Sequence, residues 1–210
     1  MKPLILPTIL ALSPFAARAA SMDSQTFVIN TPIPDNSGIG LSDTRQFSSL
    51  ITAISEVNVQ LTMSGGWTGD LYAYLTHGSG FAVLLNRPGR TLEELAGSGV
   101  STLSITLADN AGADVHTGIP ISGGVSGFFQ PDAREIDPDN SLDGSPRTAF
   151  LSSFDGLDAN GYWTLYVADV ATGDTMILND WTLTVTGVPE PSVTLLCAAG
   201  ACLALRRRRA

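Results

Sequence analysis

Cysteine is almost missing from this chain: only Cys197 and Cys202 occur, both inside an apolar run near the C-terminus. The stretch from residue 20 to 188 therefore has no disulfide to staple it and no thiolate for zinc chemistry. Its stability has to come from a packed core. Histidine is scarce too. His77 and His116 are the two, each among turn formers and polar residues, a setting typical of solvated side chains. Neither belongs to a His-Glu-x-x-His motif, and no Gly-x-Ser-x-Gly elbow occurs, so the patterns of a zinc hydrolase and of a nucleophile-elbow hydrolase are both lacking. Basic residues are few: between residues 20 and 188, five arginines (Arg45, Arg87, Arg90, Arg134, Arg147) face nineteen aspartates and glutamates. A surface of that sign repels nucleic acid and anionic lipid and suits divalent cations. The same acidity also serves plain solubility. There is no internal repeat, and no apolar run reaches the roughly 20 residues of a membrane-spanning helix.

What is present begins with the two ends. Lys2, the apolar stretch Leu4 to Leu12 and the small-x-small step Ala17-Arg18-Ala19 have the order of a cleavable export signal over residues 1–20. At the other end, Val188-Pro189-Glu190-Pro191 breaks the chain, because neither strand nor helix continues through such a step. An apolar segment, Val193 to Leu205, and the cluster Arg206-Arg207-Arg208-Arg209 follow. Arginines behind an apolar segment favour the cytoplasmic side and leave the preceding domain outside.

This tail, residues 188–210, resembles the PEP-CTERM sorting signal, in motif, apolar helix and Arg cluster alike. The resemblance implies a chain delivered to the envelope of a Gram-negative-type cell and handed to an exosortase-type membrane protease that removes the tail. The alternative is an ordinary C-terminal anchor that is retained. The implied location is exported, in the cell envelope or extracellular, with the Arg cluster cytoplasmic while the tail is in place. Exopolysaccharide or another surface matrix is the partner that the same resemblance suggests.

The body, residues 21–187, alternates with period two. Val57, Val59, Leu61 and Met63 fall on one face and Glu56, Asn58, Gln60 and Thr62 on the other. Leu103, Ile105 and Leu107 repeat the pattern, as do Trp163, Leu165 and Val167, and then Trp181, Leu183 and Val185. Strands with one buried and one wet face read this way. The turns between them carry Gly, Pro, Asn and Asp, as in Pro34-Asp35-Asn36-Ser37-Gly38 and Asp158-Ala159-Asn160-Gly161. Only Thr91 to Gly97 reads as a helical turn. The fold expected is all-β, a jelly-roll-like antiparallel β-sandwich. The stretch from Asp109 to Pro146 carries few strand signals and reads as extended loops, the expected home of any ligand site. Trp163 and Trp181 are expected in the core, and Asp70 and Asp169 at turns.

One segment suggests a cation. Asp137, Asp139, Ser141 and Asp143 space side-chain oxygens at alternate positions, and Gly144 follows. Calcium takes six to eight oxygens, and the run resembles the first half of an EF-hand loop. Twelve positions counted from Asp139 end on Phe150, where a bidentate Glu would be needed. The same run also reads as a solvated acidic loop.

Several blocks in order resemble the P domain (P/Homo B domain) of proprotein convertases. They are Ile33-Pro34-Asp35-Asn36; Gly69-Asp70-Leu71 with Leu75, Gly80 and Leu84-Leu85; Phe154-Asp155-Gly156; Gly161-Tyr162-Trp163-Thr164-Leu165; Val167-Ala168-Asp169; and Leu178-Asn179-Asp180-Trp181-Thr182-Leu183. Ser64 stands where that family often carries a His. The resemblance implies a sandwich that accompanies a subtilisin-like serine protease without supplying its catalytic residues. The function expected is a non-catalytic binding or structural module, and the alternative is an accessory domain assisting such a protease in trans.

Overall fold

The computed structural model describes residues 20–188. The export segment through Ala19, and the Pro189-Glu190-Pro191 motif with the tail behind it, lie outside the described residues. Within them, the alternating segments become strands β1 (Met22–Pro32), β2 (Leu41–Phe47), β3 (Ile54–Gly65), β4 (Leu71–His77), β5 (Gly80–Asn86), β6 (Gly99–Leu107), β7 (Ser122–Phe129), β8 (Gly161–Asp169) and β9 (Met176–Gly187). They form a five-stranded sheet ordered β1-β9-β3-β6-β7 and a four-stranded sheet ordered β2-β8-β4-β5. All neighbours are antiparallel except β6 and β7, which run parallel.

The inward phase of each strand is the one its alternation implies. Val59, Leu61, Met63, Leu103, Ile105, Leu107, Leu165, Val167, Leu183 and Val185 all have zero exposure, so the two inner faces close over one another without a gap for water. Trp163 and Trp181 are buried among them. Each finds a hydrogen-bond partner for its indole, Trp163 Nε1 donating to Ala159 O at 3.0 Å and Trp181 Nε1 to an Asp43 carboxylate oxygen at 2.8 Å. On the wet face the hydroxyls pair across the ladders, Thr26 with Thr182, Ser24 with Thr184 and Thr44 with Thr164.

Two local expectations differ from what forms. Thr91 to Gly97 makes no helix. The Thr91 hydroxyl accepts from the amides of Glu93 and Glu94, and seven residues ending at a left-handed Gly97 are too few to repay helix nucleation. The region from Asp109 to Pro146 is not all loop. It contains α1 (Val115–Gly118) and the edge strand β7, which has three glycines and an exposed surface and therefore shows no alternation. Beyond β7 the chain lies along the free edge of β5. Asp132 N donates to Leu84 O, Ala133 N to Val83 O, and Val83 N to Ala149 O. That edge is covered rather than left open for another chain.

Gly80 shows how tightly the sheets close. A Cβ there would lie 2.2 Å from Cδ1 of the buried Phe154 ring, which itself packs on Trp163 at 5.0 Å. Gly80→Ala is expected to destabilise the fold by ~1–3 kcal/mol, measured by chemical denaturation. An unchanged midpoint would mean that the Phe154 ring can yield.

Candidate functional site

Two groups of polar side chains stand apart from the apolar core. The first is a buried knot behind β5. Arg134, 2% exposed, donates through Nη1 to Asp132 Oδ1 at 3.1 Å and through Nη2 to Asp114 Oδ2 at 2.8 Å. It also donates to the carbonyls of Leu142 and Asp143. Asp132, with zero exposure, accepts from Asn86 N and faces Nδ1 of the equally buried His116 at 2.9 Å, while Nε2 of His116 meets Arg90 O at 2.9 Å. A charge taken that far from water survives only when paired and hydrogen-bonded throughout, and here the partners come from the same segment and from the end of β5 and the turn after it.

His77 is buried as well. It ends β4 on the inward phase and stacks on Trp163 at 4.1 Å with the rings nearly parallel. Its nitrogens face Tyr162 O at 3.0 Å and Asp158 O at 2.6 Å. The expectation of two solvated histidines is therefore corrected. Both lie inside, because turn-rich sequence around a residue does not reveal which carbonyls will close over it.

The four residues expected to bind calcium are not brought together. Asp137 caps a short 3₁₀ turn by accepting from Asp139 N. Asp139 is turned outward, with Arg87 Nη1 3.7 Å away. Ser141 is buried and spends its hydroxyl on Asn86 O. Asp143 accepts from Gly144 N. The carbonyls of the loop serve arginines, Pro138 O taking Arg90 Nη1 and Leu142 O and Asp143 O taking Arg134. Among the described residues no three His, Cys, Asp or Glu side chains gather as a metal-holding set.

The second polar group lines a cleft of about 410 Å³ between the turn before β4 and the β8–β9 turn. Trp67, Asp70, Arg87, Thr172, Gly173 and Asp174 form its walls. Trp67 is 42% exposed, and its ring lies against Gly99, where a Cβ would come 3.3 Å from Cζ3. Arg87, in a left-handed conformation, turns its guanidinium back toward the strand, Nε to Gly69 O at 3.0 Å and Nη2 to Asp70 Oδ1 at 3.3 Å. Burial raises the Asp70 carboxyl above its ordinary range, and Arg87 works against that rise. Asp169, on the inward phase at the end of β8, has zero exposure, and its Oδ2 has no protein partner. Burial pushes it up to about 6, with Asp70 and Asp35 adding to the rise and the Ala171 amide opposing it. Asp70 and Asp169 are thus more than turn residues.

No residue of the 109–146 segment, where a site was expected, lines the cleft, although Asp139 reaches Arg87 from that side. Trp67 carries its one readable signal: it is the tryptophan outside an alternating strand, in the turn Ser64-Gly65-Gly66-Trp67.

Residues 122–185, from β7 almost to the end of β9, match the family model of the proprotein convertase P-domain. Over those residues the chain is similar to the P-domain. Solved structures with a related outline include a complex of a serine protease of Aeromonas sobria with a chaperone. It aligns at 17% identity and a TM-score of 0.45, covering 81% of this chain and 27% of that one. The Aeromonas sobria serine protease alone aligns at 16% and 0.43, covering 81% and 28%. This chain spans little more than a quarter of the length of those chains. No curated protein matches the sequence.

The Asp169 carboxyl sets a pH dependence of known sign. Its folded value lies above the ordinary carboxylate value, so its favourable contribution is complete below about pH 4 and is lost as pH rises through about 6. Relative to wild type, Asp169→Asn is expected to gain stability mainly between pH 4 and about 6 and to level off above that, by the order of 2 kcal/mol between pH 4 and pH 8. Denaturant midpoints at both ends measure this, and a constant difference between the two proteins would contradict it.

Proposed function

We propose that the chain is a non-catalytic binding and structural module, exported to the envelope or extracellular matrix and sorted through its C-terminal tail by an exosortase-type protease. The observation that carries the non-catalytic reading is the state of the two histidines. All four ring nitrogens face carbonyl or carboxylate oxygens of the fold itself, so neither imidazole is free to take a proton from a nucleophile or a water. The acidic, disulfide-free sandwich fits a secreted scaffold, and on this reading its domains are residues 1–20, 21–187 and 188–210. A second reading, an accessory domain assisting a subtilisin-like protease in trans, is supported by the P-domain match over residues 122–185.

Intact mass of the protein from envelope and medium fractions tests the first reading. The expected product begins near Ala20 and ends near Pro189; a product that keeps Arg206 to Arg209 overturns the processing. Co-purification of a subtilisin-like protease with the same product would move the second reading ahead of the first.

Calcium at the 137–143 loop is a separate proposal, carried by the outward carboxylates Asp137 and Asp139, which line a small open pocket with Asn36, Ser37 and Gly38. It is tested by melting after chelator treatment. A Tm that rises on adding calcium in wild type but not in Asp139→Ala supports it, and an unchanged Tm removes it.

A further inference from the structure

We propose that the cleft between Trp67 and the 171–174 turn binds a neutral sugar unit of a polysaccharide, with Trp67 as the stacking platform and Arg87, Asp70 and Asp174 as the hydroxyl-binding groups. This deepens the reading of the chain as a matrix module and rests on it for its biological sense, though the cleft stands by its own geometry.

The platform comes first. Of the three tryptophans, Trp163 and Trp181 have no exposure, whereas Trp67 is 42% exposed and lies at the cleft. Gly99 lets the indole lie close on the backbone behind it, so the ring is propped while part of it stays open. A rigid aromatic face beside convergent polar groups, in a cleft of this volume, is the usual make-up of a small-ligand site.

The polar wall decides the ligand. Arg87 is held from behind by Gly69 O and Asp70, and its Nη1 has only the outward Asp139 oxygen, at 3.7 Å, near it. That leaves donor capacity beside the acceptors of Asp70 and the exposed Asp174. A sugar hydroxyl donates and accepts at once, and the C–H face of a pyranose covers an indole; few other ligands satisfy both demands. A metal ion is a poor fit, because no three acidic or imidazole groups gather at the spacing it needs. A basic side chain would meet the fixed charge of Arg87 in the wall. An acidic sugar or nucleic acid would meet the surplus of carboxylates over the rest of the surface. A neutral glycan meets neither obstacle.

The test uses the full chain, purified from whichever cell fraction or medium holds it. Its probes are cellohexaose, xylohexaose and mannohexaose, with hexagalacturonate and hexalysine as charged controls. Because the other two tryptophans are buried, acrylamide quenching of fluorescence reports Trp67. At least one neutral hexasaccharide is expected to protect the fluorescence, while neither control does. By calorimetry, Trp67→Ala is expected to lose ~10-fold or more in affinity and Trp67→Phe clearly less. Asp174→Asn, in an exposed turn, is expected to weaken binding several-fold with Tm unchanged. The proposal is overturned if no neutral hexasaccharide protects, if hexalysine is the probe that does, or if Trp67→Ala binds like wild type. Recovery of the wild type and Trp67→Ala from the matrix fraction separates the two readings. Equal retention of both leaves the matrix reading standing and sinks the cleft's part in it. Sugar binding by a protein that never reaches envelope or medium does the reverse.

Discussion

Arg134 sits almost wholly out of water between two carboxylates and three backbone carbonyls, and the chain from residue 109 to 150 is arranged around it. Asp114 at the start of α1, Asp132 after β7 and the Leu142-Asp143 turn all converge on that one guanidinium. Through Asp132 the same contact set reaches Asn86, at the end of β5, and His116. A segment with few strand signals has little apolar surface of its own to bury, so charge-assisted hydrogen bonds give it a fixed course. That course is what lays residues 132–149 along the edge of β5.

The same economy accounts for the histidines and for most of the five arginines in the body. Each is positioned by backbone carbonyls of a neighbouring loop rather than presented to solvent, so groups that in other proteins do acid–base or anion-binding work here act as ties. Arg87 is the partial exception. It ties Gly69 and Asp70 together from behind while lining an open cleft, and beside it stands the least buried of the tryptophans.

The sheets were largely legible in the sequence, because period-two alternation and turn residues depend on local physics: the stretches Val57 to Met63, Leu103 to Leu107, Trp163 to Val167 and Trp181 to Val185 keep their apolar phase inward. The parallel strand β7 was not. Its glycines and exposed side chains leave it to be fixed by pairing with β6, a partner that local pattern does not encode. The site was legible only in pieces. Asp70 and Asp169 stood out as members of recurring blocks, but their burial depends on the meeting of the β4 and β8 ends. Asp137, Asp139, Ser141 and Asp143 had the right spacing for a cation loop. In the fold Asp137 and Asp139 line one open pocket, while the Ser141 hydroxyl and the loop's carbonyls are engaged by other groups, an arrangement that spacing does not encode. Trp67 lies in a turn, so strand phase, which points to the tryptophans of β8 and β9, does not point to it.

The pairing of the first and last strands gives the molecule a direction. Gly187 N is hydrogen-bonded to Ser21 O, so the described chain enters and leaves at one corner. The turn that walls the cleft precedes Met176, at the opposite end of β9. Twelve residues of strand separate the two, roughly 35–40 Å at ordinary strand rise. The open cleft and the corner where Ser21 meets Gly187 therefore lie at opposite ends of one strand, so a ligand in the cleft and the pairing of the first and last strands make no shared contact.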